Sequence, residues 1–554
     1  MKNNALKLNR RYTISLIIVA LSGLFISISA FSQQGVKKSK SPLMGWASWN
    51  QFGAKIDETL IKTEVDALVF SGLSKAGYTY FNIDDGFFNG RYADGKLKID
   101  SIKFPSGMKS LVDYIHAKGL KAGFYSEAGV NTCGSQWSNQ PGGVNGGMYN
   151  HDQQDADLFF KVWGFDFLKV DYCGGLYLKL DEMTRYTAIK KAIDNTGRTD
   201  INLNICRWQF PGTWVTSVAD SWRMSFDINL FPGSKPRWKS ILDIIDLNKY
   251  LAPYASAGHY NDMDMLEVGR GLSAEEDRSH FSMWCILSSP LVLGLEITKL
   301  TPETKEIITN AEVIAVNQDT SGLQAHLITD NASVLQVWAK NINGKLSKER
   351  AVVLFNRTET PAPISVKWND LNITGPALVR NLWSHSDLGS FDSVYTETVP
   401  AHGVIMLKVV GKKAKIQEVF EAEYAWINNF NLSQNSEVVS GQGRVIYEDK
   451  CSSKAKAGWL GKRADNYIEF RNIYANTAGT YNLTITYISP EKQSATMSVN
   501  GVTTEMSDFE SKNGSELSQK SIAIKLNKGY NTIRFSNATD WLPDFDKIHI
   551  DLNR

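Results

Sequence analysis

The chain has 554 residues, enough for about three or four domains of about 150 residues each. With 43% hydrophobic and 21% charged residues, its composition is typical of a globular protein and excludes a mostly disordered or collagen-like chain. The formal charge is +2, and four basic side chains and no acidic one lie within the first 32 residues. The remainder is slightly acidic, so we expect no nucleic-acid partner.

The N-terminus predicts export from the cytoplasm. Basic residues precede an apolar run over residues 14–30, and Ala30-Phe31-Ser32 fits a cleavage site of the small-x-small type. We therefore predict a signal peptide at residues 1–32 and a secreted or periplasmic protein without a membrane partner after cleavage. The alternative is an uncleaved anchor, because the run approaches the length of a membrane-spanning helix.

Export permits disulfides, and the chain has five cysteines. The number is odd, so at least one thiol is free. The spacings match no zinc signature, and a scaffold held together by disulfides needs a higher cysteine density. At most one local bridge is expected from the cysteine pattern.

Residues 41–322 alternate short apolar strands with amphipathic helices. One helix is clear because apolar residues recur at helical spacing from Met108 to Ile115 and Gly119 follows as its end. The predicted strands cover 43–48, 78–84, 120–125, 165–171, 200–205, 221–226, 257–260 and 288–293. Eight strands with helical crossovers predict a (β/α)8 TIM barrel, an α/β fold. The alternative is an open doubly wound sheet, but the glycine-rich turn expected after its first strand is missing.

The sequence pattern changes near residue 323. Short alternating segments separated by Asn, Gly and Pro predict an antiparallel β-sandwich over residues 323–410. Residues 411–416 have the composition of a solvated linker. Residues 417–554 form a second all-β module, predicted to be a jelly roll.

In a TIM barrel, functional side chains lie at the carboxyl ends of the strands. This rule selects a set of charged and aromatic residues from the predicted strands. The set is Asp84, Asp85, Tyr125, Glu127, Lys169, Asp171, Arg207, Arg223, Asp227, Asp262 and Asp264. Any one of these aspartates could instead cap the next helix. Capping does not explain doubled acids beside aromatic residues such as Trp49 and Trp208.

Paired carboxylates with aromatic platforms are the groups that cleave a glycosidic bond. One acid protonates the departing oxygen, and the other attacks the anomeric carbon or activates water. The chain has no G-x-S-x-G motif of a serine hydrolase, no H-E-x-x-H motif of a zinc enzyme, and no evident cradle for phosphate or nicotinamide. We therefore expect a glycosidase that needs no cofactor for catalysis and acts on an oligosaccharide or polysaccharide.

Six segments carry a resemblance to one family. They are 42–50 (PLMGWASWN), 82–86 (NIDDG), 164–173 (GFDFLKVDYC), 222–228 (WRMSFDI), 261–266 (NDMDML) and 316–319 (VNQD). With them the chain resembles, over about 41–410, the α-galactosidase and α-N-acetylgalactosaminidase family of retaining glycosidases, glycoside hydrolase family 27.

The resemblance implies a role for each matching residue. Asp171 would be the nucleophile and Asp227 the general acid/base, while Cys133 and Cys173 would form a disulfide beside the nucleophile. The alternative for these two cysteines is a pair of free thiols. The residues implied to bind or enclose the sugar are Trp49, Asp84, Asp85, Tyr125, Lys169, Arg223 and Asp264. We expect Lys169 to keep Asp171 ionised, and the negative nucleophile to raise the pKa of Asp227.

One departure from the family concerns the sugar that the pocket accepts. Many members have Cys-Glu-Trp where this chain has Cys206-Arg207-Trp208, so a cation replaces an anion that binds sugar hydroxyls. The first expectation is an exo-acting α-D-galactosidase. Alternatives with the same mechanism are cleavage of β-L-arabinopyranosides, α-N-acetylgalactosaminides or isomalto-oligosaccharides.

Two alternatives belong to other functional classes. One is an aldolase-type enzyme in which Lys169 forms a Schiff base. The other is a non-catalytic sugar-binding protein with a degenerate barrel. The presence of both Asp171 and Asp227 argues against the second alternative.

The C-terminal module resembles the carbohydrate-binding modules of families 6 and 35. The matching segments are 421–423 (EAE), 465–470 (DNYIEF) and 543–548 (PDFDKI). By this resemblance Glu421, Glu423 and Asp546 would bind a structural calcium ion through hard oxygen ligands. The alternative is that these acids are simply exposed. The sequence leaves the oligomeric state open.

Overall fold

A computed structural model describes residues 40–137, 139–331, 334–430, 432 and 442–552. The predicted signal peptide, residues 1–32, lies outside the described residues. Across the described ranges, no helix is both long and apolar enough to cross a membrane.

The predicted barrel is present, with eight parallel strands in the part of the chain that the structure describes. In chain order, β1 to β8 are Met44–Ala47, Tyr80–Ile83, Lys121–Glu127, Phe167–Asp171, Asn202–Ile205, Ser221–Arg223, Tyr260–Asp262 and Leu291–Leu293. Each strand from β1 to β6 pairs with the next, and β8 pairs with β1. A parallel bridge between Leu266 and Leu293 joins the segment after β7 to β8. The strands are buried on both faces, as parallel strands covered by helices must be.

Only the seventh strand differs clearly from its predicted position. It was expected at 257–260, whereas β7 covers Tyr260–Asp262. The difference arises because Gly258 has a φ of 89° and residues 256–259 form a tight turn closed by a Ser256–His259 bridge. Such a φ suits glycine and interrupts an extended strand.

Helices surround the barrel. The α-helices are Trp49–Phe52, Glu58–Phe70, Leu73–Ala76, Gly107–Ala117, Cys133–Trp137, Asp152–Asp157, Cys173–Tyr177, Glu182–Asp194, Trp238–Asn248, Ala274–Ile286, Pro302–Ile308 and Ala311–Asn317. A π-helical segment, Leu158–Trp163, follows Asp152–Asp157, and the strands Phe88–Arg91 and Leu97–Ile99 form a hairpin after β2. Among the described residues, the 3-10 turns are Pro141–Gly143, Thr213–Ser217, Ala252–Tyr254, Ile297–Lys299, Ala422–Tyr424 and Lys512–Gly514. Three of the longer helices start at side-chain caps, Asp57, Asp181 and Ser273, that accept backbone N–H groups of the first turn.

The predicted β-sandwich follows the barrel. Among the described residues, its larger sheet has the spatial order His326–Asn331, Leu335–Asn341, Glu349–Asn356, Val404–Ala414, Ile373–Asn381 and Ser386–Phe391, and Ala362–Lys367 pairs with Val394–Val399. The two sheets enclose their own apolar core. Residues 411–414, predicted as part of a linker, instead continue the strand Val404–Ala414 and pair with residues of Ile373–Asn381. The side chains of Lys412 and Lys413 are exposed, so their charges do not prevent backbone pairing.

The C-terminal module is also a two-sheet antiparallel sandwich. Over its described residues, one sheet has the order Arg444–Tyr447, Ala455–Gly458, Asp544–Ile550, Gly479–Ile488 and Ser518–Leu526, with Val419–Glu421 beside Asp544–Ile550. The other has the order Trp426–Ile427, Ile468–Ala475, Gly529–Ser536, Gln493–Val499 and Val502–Phe509. This architecture agrees with the predicted all-β module.

An aromatic cluster joins the C-terminal module to the barrel. Tyr254 of the barrel lies 5.0 Å from the ring of Trp426 and 5.5 Å from that of Phe430, and its hydroxyl donates to the carbonyl of Ile427 at 3.0 Å. Phe210, on the loop after β5, lies 5.0 Å from Tyr254 and 6.1 Å from Phe430. The module therefore contacts a loop at the end of the barrel where the strand carboxyl ends meet.

Candidate active site

The first half of the site forms where β2 and β4 end. Lys169 and the last residue of β4, Asp171, are two positions apart on the strand, so their side chains point the same way. The Lys169 Nζ lies 2.9 Å from Asp84 Oδ2 and 3.7 Å from Asp171 Oδ1. Both carboxylates are buried. The structure thus brings together three of the predicted site residues.

The electrostatics of Asp171 differ from the expectation that Lys169 would hold it ionised. Burial raises the pKa of Asp171 to about 7, and the lowering effect of Lys169 only partly offsets this. Lys169 is shared with Asp84, whose negative charge also raises the pKa of Asp171. Within the described residues, Asp171 Oδ1 accepts no hydrogen bond. This oxygen is therefore buried and has a free acceptor position.

The second half of the site forms around Arg223 at the end of β6. Its Nη2 lies 3.0 Å from Asp227 Oδ1 and 3.0 Å from Asp264 Oδ2. Asp264 is buried and also accepts the backbone N–H of Ile228 at 2.8 Å. In contrast, the side chain of Asp227 is 52% exposed. Arg223 therefore contacts Asp227 directly, and Asp264 fixes the backbone of the next residue. The side chain of Asp227 remains half-exposed to solvent.

Cys206, at the end of β5, connects the two halves. Its Sγ lies 3.8 Å from Arg223 Nη1, and its thiol interacts with Asp171. Burial raises the pKa of this thiol well above its usual value, so it remains neutral. The negative charge of Asp227 also raises the pKa of Asp171, so the two carboxylates are close enough to interact electrostatically.

A cavity lies among these strand ends. Its polar lining consists of Asn82, Asp84, Lys169, Asn204, Ser221, Arg223, Asp262 and Asp264. Carboxylate, amide, ammonium and guanidinium groups around one small cavity can donate to and accept from several hydroxyl groups at once. Asp262 was selected by its position but given no role; it accepts hydrogen bonds from Asn204 Nδ2 at 2.8 Å and from the Asp264 N–H at 2.9 Å.

The implied disulfide is present beside Asp171. Cys133 and Cys173 are bonded, with their Cα atoms 5.3 Å apart. Glu127, selected from the sequence without a role, accepts the backbone N–H groups of Cys173 and Gly174 at 3.0 Å each. It is fully buried and holds the first turn of the helix Cys173–Tyr177, which follows β4. Glu127 is thus a positioning residue.

Two predicted sugar-binding residues also support the disulfide loop. Asp85 Oδ2 accepts the N–H of Gly134 at 2.8 Å, and the Tyr125 hydroxyl accepts the N–H of Cys133 at 3.1 Å. Burial raises the pKa of Asp85 to about 6. The ring of Tyr125 lies 5.5 Å from the Lys169 Nζ, beside the charged group that Lys169 forms with Asp84 and Asp171.

Arg207 is held by two neighbouring side chains. Its Nε donates to Glu182, and its guanidinium lies 5.6 Å from the ring of Tyr172. Arg207 therefore contacts Glu182 and the ring of Tyr172, the residue that follows Asp171 in the sequence. The predicted pocket residue Trp49 is half-buried on the short helix after β1.

A buried network not foreseen from the sequence links three loops of the site. Glu267, after β7, accepts hydrogen bonds from Asn50 and from Asn229, the latter at 2.6 Å, and pairs with Arg270. Asn50 adjoins Trp49 and Asn229 lies two residues after Asp227. The network therefore fixes the positions of two predicted site segments.

The three acids implied to bind calcium lie near one another in the C-terminal module. The Ser452 hydroxyl lies 2.6 Å from Glu421 Oε2 and 3.0 Å from Asp546 Oδ1, and Ser453 donates to Glu423. Glu423 and Asp546 are buried rather than exposed. Burial and the charge of Glu421 raise the pKa of Glu423 to about 8, and among the described residues its Oε2 has no hydrogen-bond partner. Lys547 Nζ lies 3.8 Å from Asp546 Oδ2 and balances part of this negative charge, and the carboxylates are the hard oxygen ligands that calcium prefers.

Family models match most of the first two domains. The model for alpha galactosidase A matches residues 41–319, and the model for the alpha galactosidase C-terminal beta sandwich domain matches residues 332–409. Both matches end before the C-terminal module, so they carry no information on whether that module binds carbohydrate.

Individual proteins match over the same region. The chain is 38% identical to alpha-galactosidase A of Cellvibrio japonicus, covering 70% of this chain and 96% of that protein. It is 41% identical to alpha-galactosidase 2 of Arabidopsis thaliana, covering 68% and 90%.

Solved structures agree with these matches. Alpha-galactosidase I from Mortierella vinacea is 34% identical with a TM-score of 0.60, covering 68% of this chain and 98% of that one. A β-L-arabinopyranosidase of glycoside hydrolase family 27 from Geobacillus stearothermophilus is 25% identical with a TM-score of 0.58, covering 67% and 97%. On these matches and this geometry, the chain belongs to the α-galactosidase family of glycoside hydrolases, glycoside hydrolase family 27.

Proposed function

We propose that the protein is an exported, retaining exo-glycosidase that releases terminal α-D-galactose from oligosaccharides or polysaccharides. The observation that carries the proposal is the pair formed by a buried carboxylate, Asp171, and a half-exposed one, Asp227, at the same end of the barrel. Relatives 38% and 41% identical are named α-galactosidases. Export to the periplasm or the exterior rests on residues 1–32.

In the proposed reaction Asp171 attacks the anomeric carbon while Asp227 gives its proton to the departing glycosidic oxygen. The bond to the leaving group breaks and a covalent galactosyl-enzyme forms. Asp227 then takes a proton from water, which attacks the same carbon and restores the Asp171 carboxylate. Two inversions give net retention of configuration.

The glycone would bind at the carboxyl ends of the strands, within reach of both Asp171 and Asp227. Asp84, Lys169 and Arg223 can form charge-assisted hydrogen bonds with hydroxyl groups there. Because these groups are buried, the arrangement suits the terminal sugar of a chain rather than an internal one.

The first test is hydrolysis of p-nitrophenyl α-D-galactopyranoside and p-nitrophenyl β-L-arabinopyranoside by the purified protein. We expect preference for the galactoside, α-galactose as the first product seen by NMR, and a loss of at least about 10⁴-fold in kcat for Asp171→Asn. Preference for the arabinoside would be consistent with the mechanism but would contradict the assignment of galactose as the terminal sugar. No hydrolysis of either would overturn the proposal.

Azide rescue separates the two carboxylate roles. With an activated α-galactoside and azide, Asp227→Gly should form α-galactosyl azide, because azide attacks the covalent intermediate. Asp171→Gly should form β-galactosyl azide in a single displacement. The opposite assignment of products would exchange the roles of the two residues.

We also propose that the C-terminal module binds carbohydrate and holds a structural calcium ion at Glu421, Glu423 and Asp546. The paired, buried acids described above support the calcium ion. Calcium should raise the unfolding temperature of chelator-treated protein more than magnesium does, and Glu423→Gln should abolish the difference. Equal effects of both ions would contradict the calcium proposal.

For carbohydrate, a retention assay on immobilised polysaccharide with the exposed Trp459 replaced by Ala tests the module.

A further inference from the structure

A second cavity lies beside the hairpin that follows β2. Its volume is about 360 Å³, which is within the usual range for pockets that bind small molecules. The hairpin supplies Arg91 and Tyr92, and the loop after β3 supplies Tyr149, Asn150 and His151. Among the described residues, none lines both this cavity and the cavity among the strand ends. The two cavities are therefore distinct.

Arg91 joins the hairpin to the loop after β3. Its side chain is 7% exposed, and its guanidinium forms a bidentate pair with Asp155 at 2.8 and 2.6 Å. The guanidinium also donates to the backbone carbonyls of Gly95, Asn145 and Gly147, at 2.9, 2.9 and 2.6 Å. All five N–H groups are thus used and the charge is balanced, so Arg91 shapes the cavity rather than attracting an anion.

Four other polar side chains of the cavity have unused hydrogen-bonding groups. In the described part of the chain, no hydrogen bond is formed by the hydroxyl groups of Tyr92 and Tyr149, the amide of Asn150 or the imidazole of His151. Tyr92 and Asn150 are exposed, so a ligand can reach them. Hydroxyl, amide and imidazole groups together both donate and accept hydrogen bonds, so they suit a ligand that is rich in hydroxyl groups.

Both tyrosine rings of the cavity are held in place by cations. The Arg185 guanidinium lies 5.5 Å from the ring of Tyr149 and is itself fixed by a bidentate pair with Asp152. The Lys98 Nζ lies 4.8 Å from the ring of Tyr92. Such contacts stabilise a ring in one position, and a ring that is already ordered loses less entropy when a ligand binds. Ordered rings beside hydroxyl-pairing groups match a sugar, which has C–H groups on its faces and hydroxyl groups at its edge.

We propose that this cavity is a second saccharide-binding site, which binds a neutral sugar chain without cleaving it. Among the described residues that line it, none has a carboxyl group, so the cavity lacks the pair that cleaves a glycosidic bond. The site would hold a polysaccharide on the barrel while other parts of the same polysaccharide reach Asp171 and Asp227. The inference does not depend on which glycoside the barrel cleaves.

The test is affinity electrophoresis in gels that contain galactomannan, a neutral polysaccharide. Asp171→Asn protein is used, so that the polysaccharide is not altered during the run. Replacing either Tyr92 or Asn150 with Ala should weaken the Kd for galactomannan about 3–10-fold, the loss expected for one aromatic or hydrogen-bonding contact. Both side chains are exposed, so these substitutions should not disturb the fold.

Phe70→Ala is the matched control, because Phe70 is an aromatic residue of the barrel that is 96% exposed and does not line the cavity. Its retention should equal that of the Asp171→Asn parent. The C-terminal module is the same in all these proteins, so its own binding does not distinguish them.

Unchanged retention in both cavity variants would overturn the second site. The site would also be wrong if the same substitutions in the active protein lowered kcat/KM for α-D-galactosyl fluoride as much as they lowered retention, because the cavity would then belong to the catalytic site. If the active protein hydrolyses no galactoside while Tyr92→Ala and Asn150→Ala still weaken retention, the catalytic proposal fails and the second site stands.

Discussion

The buried carboxyl group of Asp171 has charged neighbours of both signs. Its neighbours oppose one another, because Lys169 favours the ionised form while Asp84 and Asp227 disfavour it. The sequence reveals the Lys169–Asp171 spacing but not that Asp84 takes the closer contact with the ammonium group. A strand position can be predicted from sequence, whereas the sharing of one cation between two acids depends on three-dimensional distances.

The raised pKa of Asp171 predicts the acid limb of activity. The pKa rises from 3.8 to about 7, so the nucleophile becomes protonated and inactive as the pH falls through this value. We expect kcat/KM for α-D-galactosyl fluoride to fall about tenfold per pH unit below about pH 7. Lys169→Gln should shift this limb to higher pH, since the cation that lowers the pKa is lost. A limb below pH 5 in the unmodified protein would contradict the prediction.

Among the elements, strands were predictable and loops much less so. The eight strands were found because each is a short apolar run, and Asp171 and Asp227 because they lie at or after strand ends. Glu267 was missed because its partners Asn50 and Asn229 are 217 and 38 residues away in sequence. Gly258 shifted β7 for a local reason that the apolar pattern did not reveal.

The hydrogen bond between Glu267 and Asn229 predicts a selective effect on the β6 loop. Asn229→Ala removes one anchor, leaves Arg270 as the partner of that Glu267 oxygen, and should cost about 0.5–1.5 kcal/mol of stability. Because Asp227 lies two residues away, proton transfer to a sugar leaving group should suffer more than fluoride release. We expect kcat for raffinose to fall about tenfold more than kcat for the fluoride. Equal losses on both substrates would show that the loop does not orient Asp227.

For the whole molecule, the order and class of the three domains followed from hydrophobic periodicity. Their docking did not, because Phe210 and Phe430 meet across 220 positions and only the folded chain brings them together. The contact reaches the loop that also carries Arg207. The C-terminal module therefore contacts a loop at the end of the barrel where the strand carboxyl ends meet.

This docking predicts that the module stabilises the barrel. Phe430→Ala in the full chain should lower the unfolding temperature, because truncating a buried Phe costs about 3–5 kcal/mol. It should also change KM for galactosides, since Phe210 loses a packing partner. Tyr447→Ala, at a side chain 69% exposed elsewhere in the module, serves as the control. Unaltered stability and KM in Phe430→Ala would show that the module sits on the barrel without supporting it.

The Phe210–Tyr254–Phe430 contact also has a consequence for biosynthesis and turnover. The proposed catalytic side chains are all made by residue 264, yet Phe210 on the loop after β5 gains its contact with Phe430 only when that residue has been synthesised and its module has folded. A nascent or prematurely terminated chain would contain all the proposed catalytic residues but would lack the module that packs against the loop after β5. Likewise, a protease that removed the module would leave Asp171 and Asp227 in the chain and take away the ring against which Phe210 packs.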